Sequence, residues 1–91
     1  MTFEWDDEKA SANVKKHGVS FQEAATAFSD PLYLVFADPD HSTEEGRFLI
    51  VGESNDQRLL VVAYTQRKKS IRLISARLAT RKERKSYEED Y

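Results

Sequence analysis

The sequence predicts an α+β domain with two N-terminal helices, a four-stranded antiparallel meander and a C-terminal helix. Three observations predict it. Helix-start signatures stand at Asp6, Ser20 and Thr80, whereas apolar residues alternate with a period of two between Leu32 and Ala76. The connections between the later strands are only about four residues long, which forces antiparallel hairpins. The order α, α, β, β, β, β, α segregates the helices about a twisted sheet.

The first helix begins after Asp6. Asp7 and Glu8 stand in its first turn, Lys15, Lys16 and His17 in its last, and Gly18 just beyond. Both ends thus complement the helix dipole, and glycine readily takes the left-handed cap. Its apolar face is thin, with Trp5 as anchor and Ala12 and Val14 along it. Ser20-Phe-Gln-Glu23 is a capping box, in which the Ser hydroxyl accepts from the amide three residues on and Glu23 reaches back, with Val19 as a hydrophobic staple. In the helix that follows, Phe21, Ala24, Ala25 and Phe28 form a stripe suited to close packing on a sheet. Ser29-Asp-Pro31 ends it, because a residue before proline avoids the helical region.

Leu32 to Ala37 reads as the first strand, followed by an acidic loop from Asp38 to Gly46. Arg47–Glu53, Arg58–Thr65 and Ser70–Ala76 read as the remaining strands, joined by Ser54–Gln57 and by the basic turn Gln66–Lys69. The third strand is apolar on both faces and is expected at the centre. In the fourth, strict alternation puts Ile71, Leu73 and Ser75 on one face and Arg72, Ile74 and Ala76 on the other. Thr80-Arg-Lys-Glu83 is a further capping box, opening a last helix of about ten residues with Tyr87 and Tyr91 as packing residues.

The 91 residues make one domain, 1–91. Composition is that of an ordinary globule, without repeats or low-complexity tracts. With no cysteine there are no disulfides, thiolate metal sites or Cys nucleophile. The N-terminus lacks the basic start and apolar core of a secretory signal, and no apolar run approaches the ~20 residues of a membrane helix. The expectation is a cytoplasmic protein without membrane contact.

A net charge of −2 conceals a polarised chain. Residues 66–85 carry nine Lys or Arg against one acid, while residues 1–65 carry five against twelve. The acidic total argues against a coat protein for nucleic acid but not against a local basic cleft. No metal-binding spacing, phosphate-binding glycine loop or nucleophile elbow is present, so no metal and no cofactor are expected. What remains is an arginine system. Arg72 lies inside the last strand, Arg77 at its end and Arg81 in the first turn of the following helix. Converging near a helix N-terminus, they would make a phosphate site. The competing assignment is a set of solvated charges paired with acids such as Glu88 and Glu89. His17 is a candidate acid or base, against a plain helix-terminal cation. Tyr64 is another candidate, against a half-core tyrosine. A role for Glu83 competes with its capping duty. His41 in the acidic loop reads as solvated.

Several blocks of the chain together resemble one family. Phe3-Glu-Trp-Asp6, Asn13-Val-Lys-Lys-His-Gly-Val-Ser-Phe21, Asp38-Pro-Asp-His41, Arg47-Phe48 with Gly52, Val62-Ala-Tyr-Thr65, and Ile71-Arg-Leu-Ile-Ser-Ala-Arg77 with Arg81, Glu83 and Tyr87 are similar to the BrnT toxins of bacterial type II toxin–antitoxin pairs. The departures fall in the turns Ser54–Gln57 and Arg67–Lys69, where more glycine is expected. The resemblance implies a RelE-like fold and a metal-independent ribonuclease that inhibits translation. It implies neutralisation by a cognate (BrnA-like) antitoxin with a DNA-binding domain, and contact with operator DNA only through that complex. On that basis Arg72, Arg77 and Arg81 would bear on the phosphate, with His17, Tyr64 or Glu83 for proton transfer. Lys16, Arg47, Lys68 and Lys69 would be RNA contacts, Lys16 being also an alternative to His17. The alternative class is a non-catalytic module that docks protein or nucleic acid.

Overall fold

The computed structural model describes residues 2–39 and 46–89. Its elements are β1 (Thr2–Glu4), α1 (Asp7–His17), α2 (Phe21–Thr26) continued by a 3-10 turn (Ala27–Ser29), β2 (Leu34–Ala37), β3 (Arg47–Glu53), β4 (Leu59–Gln66), β5 (Ser70–Leu78) and α3 (Arg81–Glu89). They form one five-stranded sheet in the order β1-β5-β4-β3-β2. The class is α+β, and strands β2 to β5 are the expected meander. The sheet as a whole is mixed, however, because β1 pairs parallel with β5, Thr2 opposite Ser70 and Glu4 opposite Arg72. Three residues are too few to show a period, so this strand exists through its tertiary pairing and left no pattern to read. His41 and Tyr91 lie outside the described residues.

Helix α1 is capped as its sequence dictates. The Asp6 carboxylate accepts from the amides of Glu8 and Lys9, and Gly18 takes the left-handed conformation at φ 69°. An uncharged residue fixes where it docks. The buried Asn13 amide donates to the carbonyls of Val19 and Ala76, both at 2.8 Å, and accepts from the Ala76 amide at 3.1 Å. It thereby occupies the edge of β5 beyond β1, where backbone groups would otherwise go unpaired. The Ser20 box forms by half. Ser20 accepts from the Glu23 amide, but the Glu23 carboxylate turns to Arg58 and to the Ser54 hydroxyl at 2.7 Å. A charged and buried partner set outcompetes a local amide, and the Arg58 hydrogen bonds hold its carboxyl below the usual range.

The first face of the sheet carries the larger core, with Ile50, Leu60, Val62, Tyr64, Ile71, Leu73 and Ala76 packed against Val19, Phe21 and Ala24. Trp5 meets Phe21 edge-on at 5.9 Å between centroids. At Gly52 a Cβ would stand 2.6 Å from the Ala27 carbonyl oxygen, so only glycine lets the 3-10 turn approach β3. The second face carries a smaller cluster of Val51, Leu59 and Val61, joined by Leu34, Leu49, Ala79 and Tyr87. Strand β4 is central and buried on both faces, as its composition predicts.

One irregularity decides which arginines share a face. Between Ala63 and Tyr64 the β4–β5 register shifts: Tyr64 pairs with Leu73, but Ala63 pairs with Ser75. Ile74 is therefore a bulge residue. Strict alternation fails at this point. Ala76 joins Ile71 and Leu73 in the first core, while Ser75 turns to the second face with Arg72 and Arg77.

Candidate active site

On the second face, α3 covers only one end of the sheet, through Tyr87 packed on the cluster of Val51, Leu59 and Val61. Beside it lies a cleft of about 190 Å³. Leu49, Val61 and Ala63 form its floor, Ser75 and Arg77 stand on the β5 side, and Asp38 and Arg47 at the far end. Arg77 is held rigidly. Its Nη1 and Nη2 donate to the two carboxylate oxygens of Glu83 at 2.7 and 2.8 Å, and Nη1 also donates to the Leu78 carbonyl at 3.3 Å. A guanidinium has five N–H donors in one plane. The Nε–H and one Nη2 hydrogen remain unused by these contacts, and together they form the second fork that matches a phosphate edge.

Glu83 closes the Thr80 box in full. The Thr80 amide donates to its Oε1 at 2.8 Å and the Glu83 amide donates to the Thr80 hydroxyl at 3.2 Å. The Arg77 hydrogen bonds, opposed by burial and helped by the Thr80 amide, hold its carboxyl down to about 2. It raises the Arg77 value in return. A carboxylate so engaged orients Arg77 and is a poor proton acceptor near neutrality.

The other arginines do not converge on one point. Arg72 and Arg77 pair with Thr65 and Val61, four residues apart on β4, so they stand about 13 Å apart along the strand. They are held by different acids, Arg77 by Glu83 and Arg72 by Glu4. Arg72 lies 3.6 Å from Glu4, which is also 3.5 Å from Arg67. Arg81 is exposed in the first turn of α3. Arg47 is in the cleft, with its Nε 3.9 Å from the Asp38 carboxylate. Lys68 and Lys69 are exposed in the β4–β5 turn, away from the cleft.

Tyr64 is on the face opposite the cleft. It packs with Phe28 and Phe48 in the first core at 5.0 and 5.8 Å, and burial, with Tyr33 nearby, pushes its hydroxyl up. Lys16 and His17 end α1 one turn beyond Asn13, which is bonded to Ala76, the residue before Arg77. They stand at the β5 edge and do not line the cleft. Sequence reading missed Ser75, because nothing announces the bulge at Ile74. It took Asp38 only as the start of a loop. Among the described residues no group of three His, Asp or Glu side chains is placed to share a cation, and no helix is long and apolar enough to cross a membrane.

Fold and cleft define a class: a small α+β protein whose sheet presents an arginine-lined cleft beside a C-terminal helix. Comparison with known proteins narrows that class to a family. Residues 5–83 match the family described as "Ribonuclease toxin, BrnT, of type II toxin-antitoxin system", and the chain belongs to it. It is also similar to the BrnT ribonuclease toxin of Brucella abortus, known from a 1.1 Å crystal structure. The two are 25% identical with a TM-score of 0.69, over 89% of this chain and 99% of that one. No match is found among curated protein sequences.

Proposed function

We propose that this ribonuclease toxin cleaves RNA without a metal, inhibits translation by doing so, and is neutralised by a cognate antitoxin carrying a DNA-binding domain. The observation that carries the chemistry is Arg77, immobilised by Glu83 in a cleft that Ser75 and Arg47 also line, with one donor fork unused by the Glu83 bonds.

Metal-free cleavage uses the neighbouring 2′-hydroxyl as nucleophile. Its oxygen bonds to phosphorus, the bond to the 5′-oxygen breaks, and a 2′,3′-cyclic phosphate remains. A base must take the 2′-proton, and an acid or water must protonate the leaving 5′-oxygen. Arg77 binds the phosphate and stabilises the extra charge of the transition state, and being preorganised it reorganises little as that charge develops. Arg47 adds positive charge at the far end of the cleft. Arg72 and Arg81 act on flanking phosphates, with Lys68 and Lys69 as outer contacts. The proton-transfer role falls to His17, with Lys16 beside it, since Glu83 is consumed in holding Arg77 and Tyr64 faces the other way.

The test is incubation of purified protein with single-stranded RNA in EDTA. Cleavage with cyclic phosphate ends is expected, and the antitoxin should abolish it. Protein inert towards RNA and towards growing cells overturns the reading.

A further inference from the structure

We propose that Phe36 is the stacking platform of a nucleobase subsite, so that single-stranded RNA crosses the sheet from β5 towards β2. This rests on the ribonuclease reading above.

Phe36 is 48% exposed in the middle of β2. Its register partner is Leu49, and the same row continues through Ala63 to Ser75. All four residues share the second face, and the last three line the cleft. Adjacent strands lie about 4.8 Å apart, so the row extends about 14 Å from Ser75 to Phe36. Arg77 lies one row to one side, paired through Val61 with Val51. Arg47 lies one row to the other, opposite Thr65. Apart from Ser75 the row is apolar, and it is flanked by Arg77 on one side and by Arg47 with Asp38 on the other. A flat base beside a backbone charge needs such a shelf, because a base stacks on an aromatic or aliphatic surface while its phosphate takes the cation.

The fold leaves Phe36 uncovered for a definite reason. Leu34, two residues earlier on the same face, is packed by the cluster that includes Tyr87. Helix α3 stops short of the next row, and Phe36 is excluded from both cores. Strand β2 is also a sheet edge, which could accept a strand from another protein. The arginines on this face favour a polyanion over that occupant.

The experiment uses a single-stranded, fully 2′-deoxy oligonucleotide, which cannot be cleaved through a 2′-hydroxyl, with 2-aminopurine placed at successive positions. Wild-type protein should quench the fluorescence strongly at one position. Phe36→Ala and Phe36→Leu should remove the quenching and weaken binding by about 10- to 100-fold, the range of one lost base stack. Phe36→Tyr should retain both. The Leu variant keeps the apolar bulk, so it separates loss of a π-face from loss of folding, which a thermal melt checks independently. Unchanged binding and quenching in the Ala and Leu variants overturns the subsite. So does weakened antitoxin binding with oligonucleotide binding intact, which reassigns the surface to protein docking. If wild type cleaves RNA but no position is quenched, the subsite fails and the ribonuclease reading stands. If it neither binds nor cleaves, both fail.

Discussion

The Tyr87 hydroxyl donates to Oδ2 of Asp30 at 2.5 Å, joining the last helix to the segment that ends the second one. The same carboxylate accepts from the amides of Leu32 and Glu53, each at 2.8 Å. Burial pushes Asp30 up, but these three hydrogen bonds outweigh it and leave its carboxyl below the usual range. One acid therefore ties α3 to the turn before β2 and to the end of β3.

Tyr87→Phe keeps the ring and removes the hydroxyl that makes that bond. It should lower stability by about 1.5–3 kcal/mol, the range for hydrogen bonds to charged groups, as read by urea denaturation. It should also change the acid response. A carboxyl whose folded value is depressed stabilises fully above its unfolded value, 3.8 for Asp30, and loses that contribution as pH falls through the folded one. The variant should therefore lose less stability than wild type on acidification below about pH 4. Identical acid profiles would remove Asp30 as the anchor.

Glu83 gives a second and lower window. With its carboxyl held at about 2 against an ordinary 4.5, its contribution is complete above pH 4.5 and disappears on approach to pH 2. Glu83→Gln should abolish this part of the acid dependence, followed by denaturation at several pH values. It should also cut cleavage at neutral pH without abolishing folding, because Arg77 loses its oriented partner. A variant with wild-type cleavage would show that Arg77 needs no positioning.

Arg77 itself should be the costliest single change for activity. Arg77→Ala should lower the cleavage rate by about 100- to 1,000-fold, as removal of one preorganised charge donor does. Arg77→Lys should recover little, since an ammonium has no second fork. Arg81→Ala should lose less, because that side chain is exposed outside the cleft. The measurement is single-turnover cleavage of a labelled RNA with circular dichroism as the control for folding. Equal activity in all three variants would move the chemistry elsewhere.

These relationships were legible in the sequence to different depths. Helix starts at Asp6 and Thr80, the left-handed Gly18 and the central β4 follow from local rules, because caps and period-two runs act within a few residues. Strand β1 depends on a partner some seventy positions away, Thr2 against Ser70, and no local pattern reports it. The bulge at Ile74 is equally silent. Once it is in place, Ser75 and Arg77 come to the face of Arg72, opposite the one that holds Tyr64. The arginine segment could thus be found from charge alone, whereas the separation of Arg72 from Arg77 and the role of Glu83 required the register.

Asn13 tests the attachment of the helix that carries His17. Its amide makes three buried hydrogen bonds, two of them to the backbone of Ala76 next to Arg77. Asn13→Ala leaves the Ala76 amide and carbonyl and the Val19 carbonyl without partners. Buried groups stranded in this way cost about 1–3 kcal/mol each, so a loss on the order of 3 kcal/mol or more is expected in denaturant unfolding. Asn13→Asp is the sharper variant. A carboxylate can still accept from the Ala76 amide but faces two carbonyl oxygens without a proton to give, so it should be at least as destabilised above the range where carboxylates ionise and should recover on acidification. Hydrogen exchange should show the Ala76 amide exposed in the Ala variant and still protected in the Asp variant. If neither substitution lowers stability or protection at Ala76, Asn13 does not hold α1, and His17 at its end, to the β5 edge.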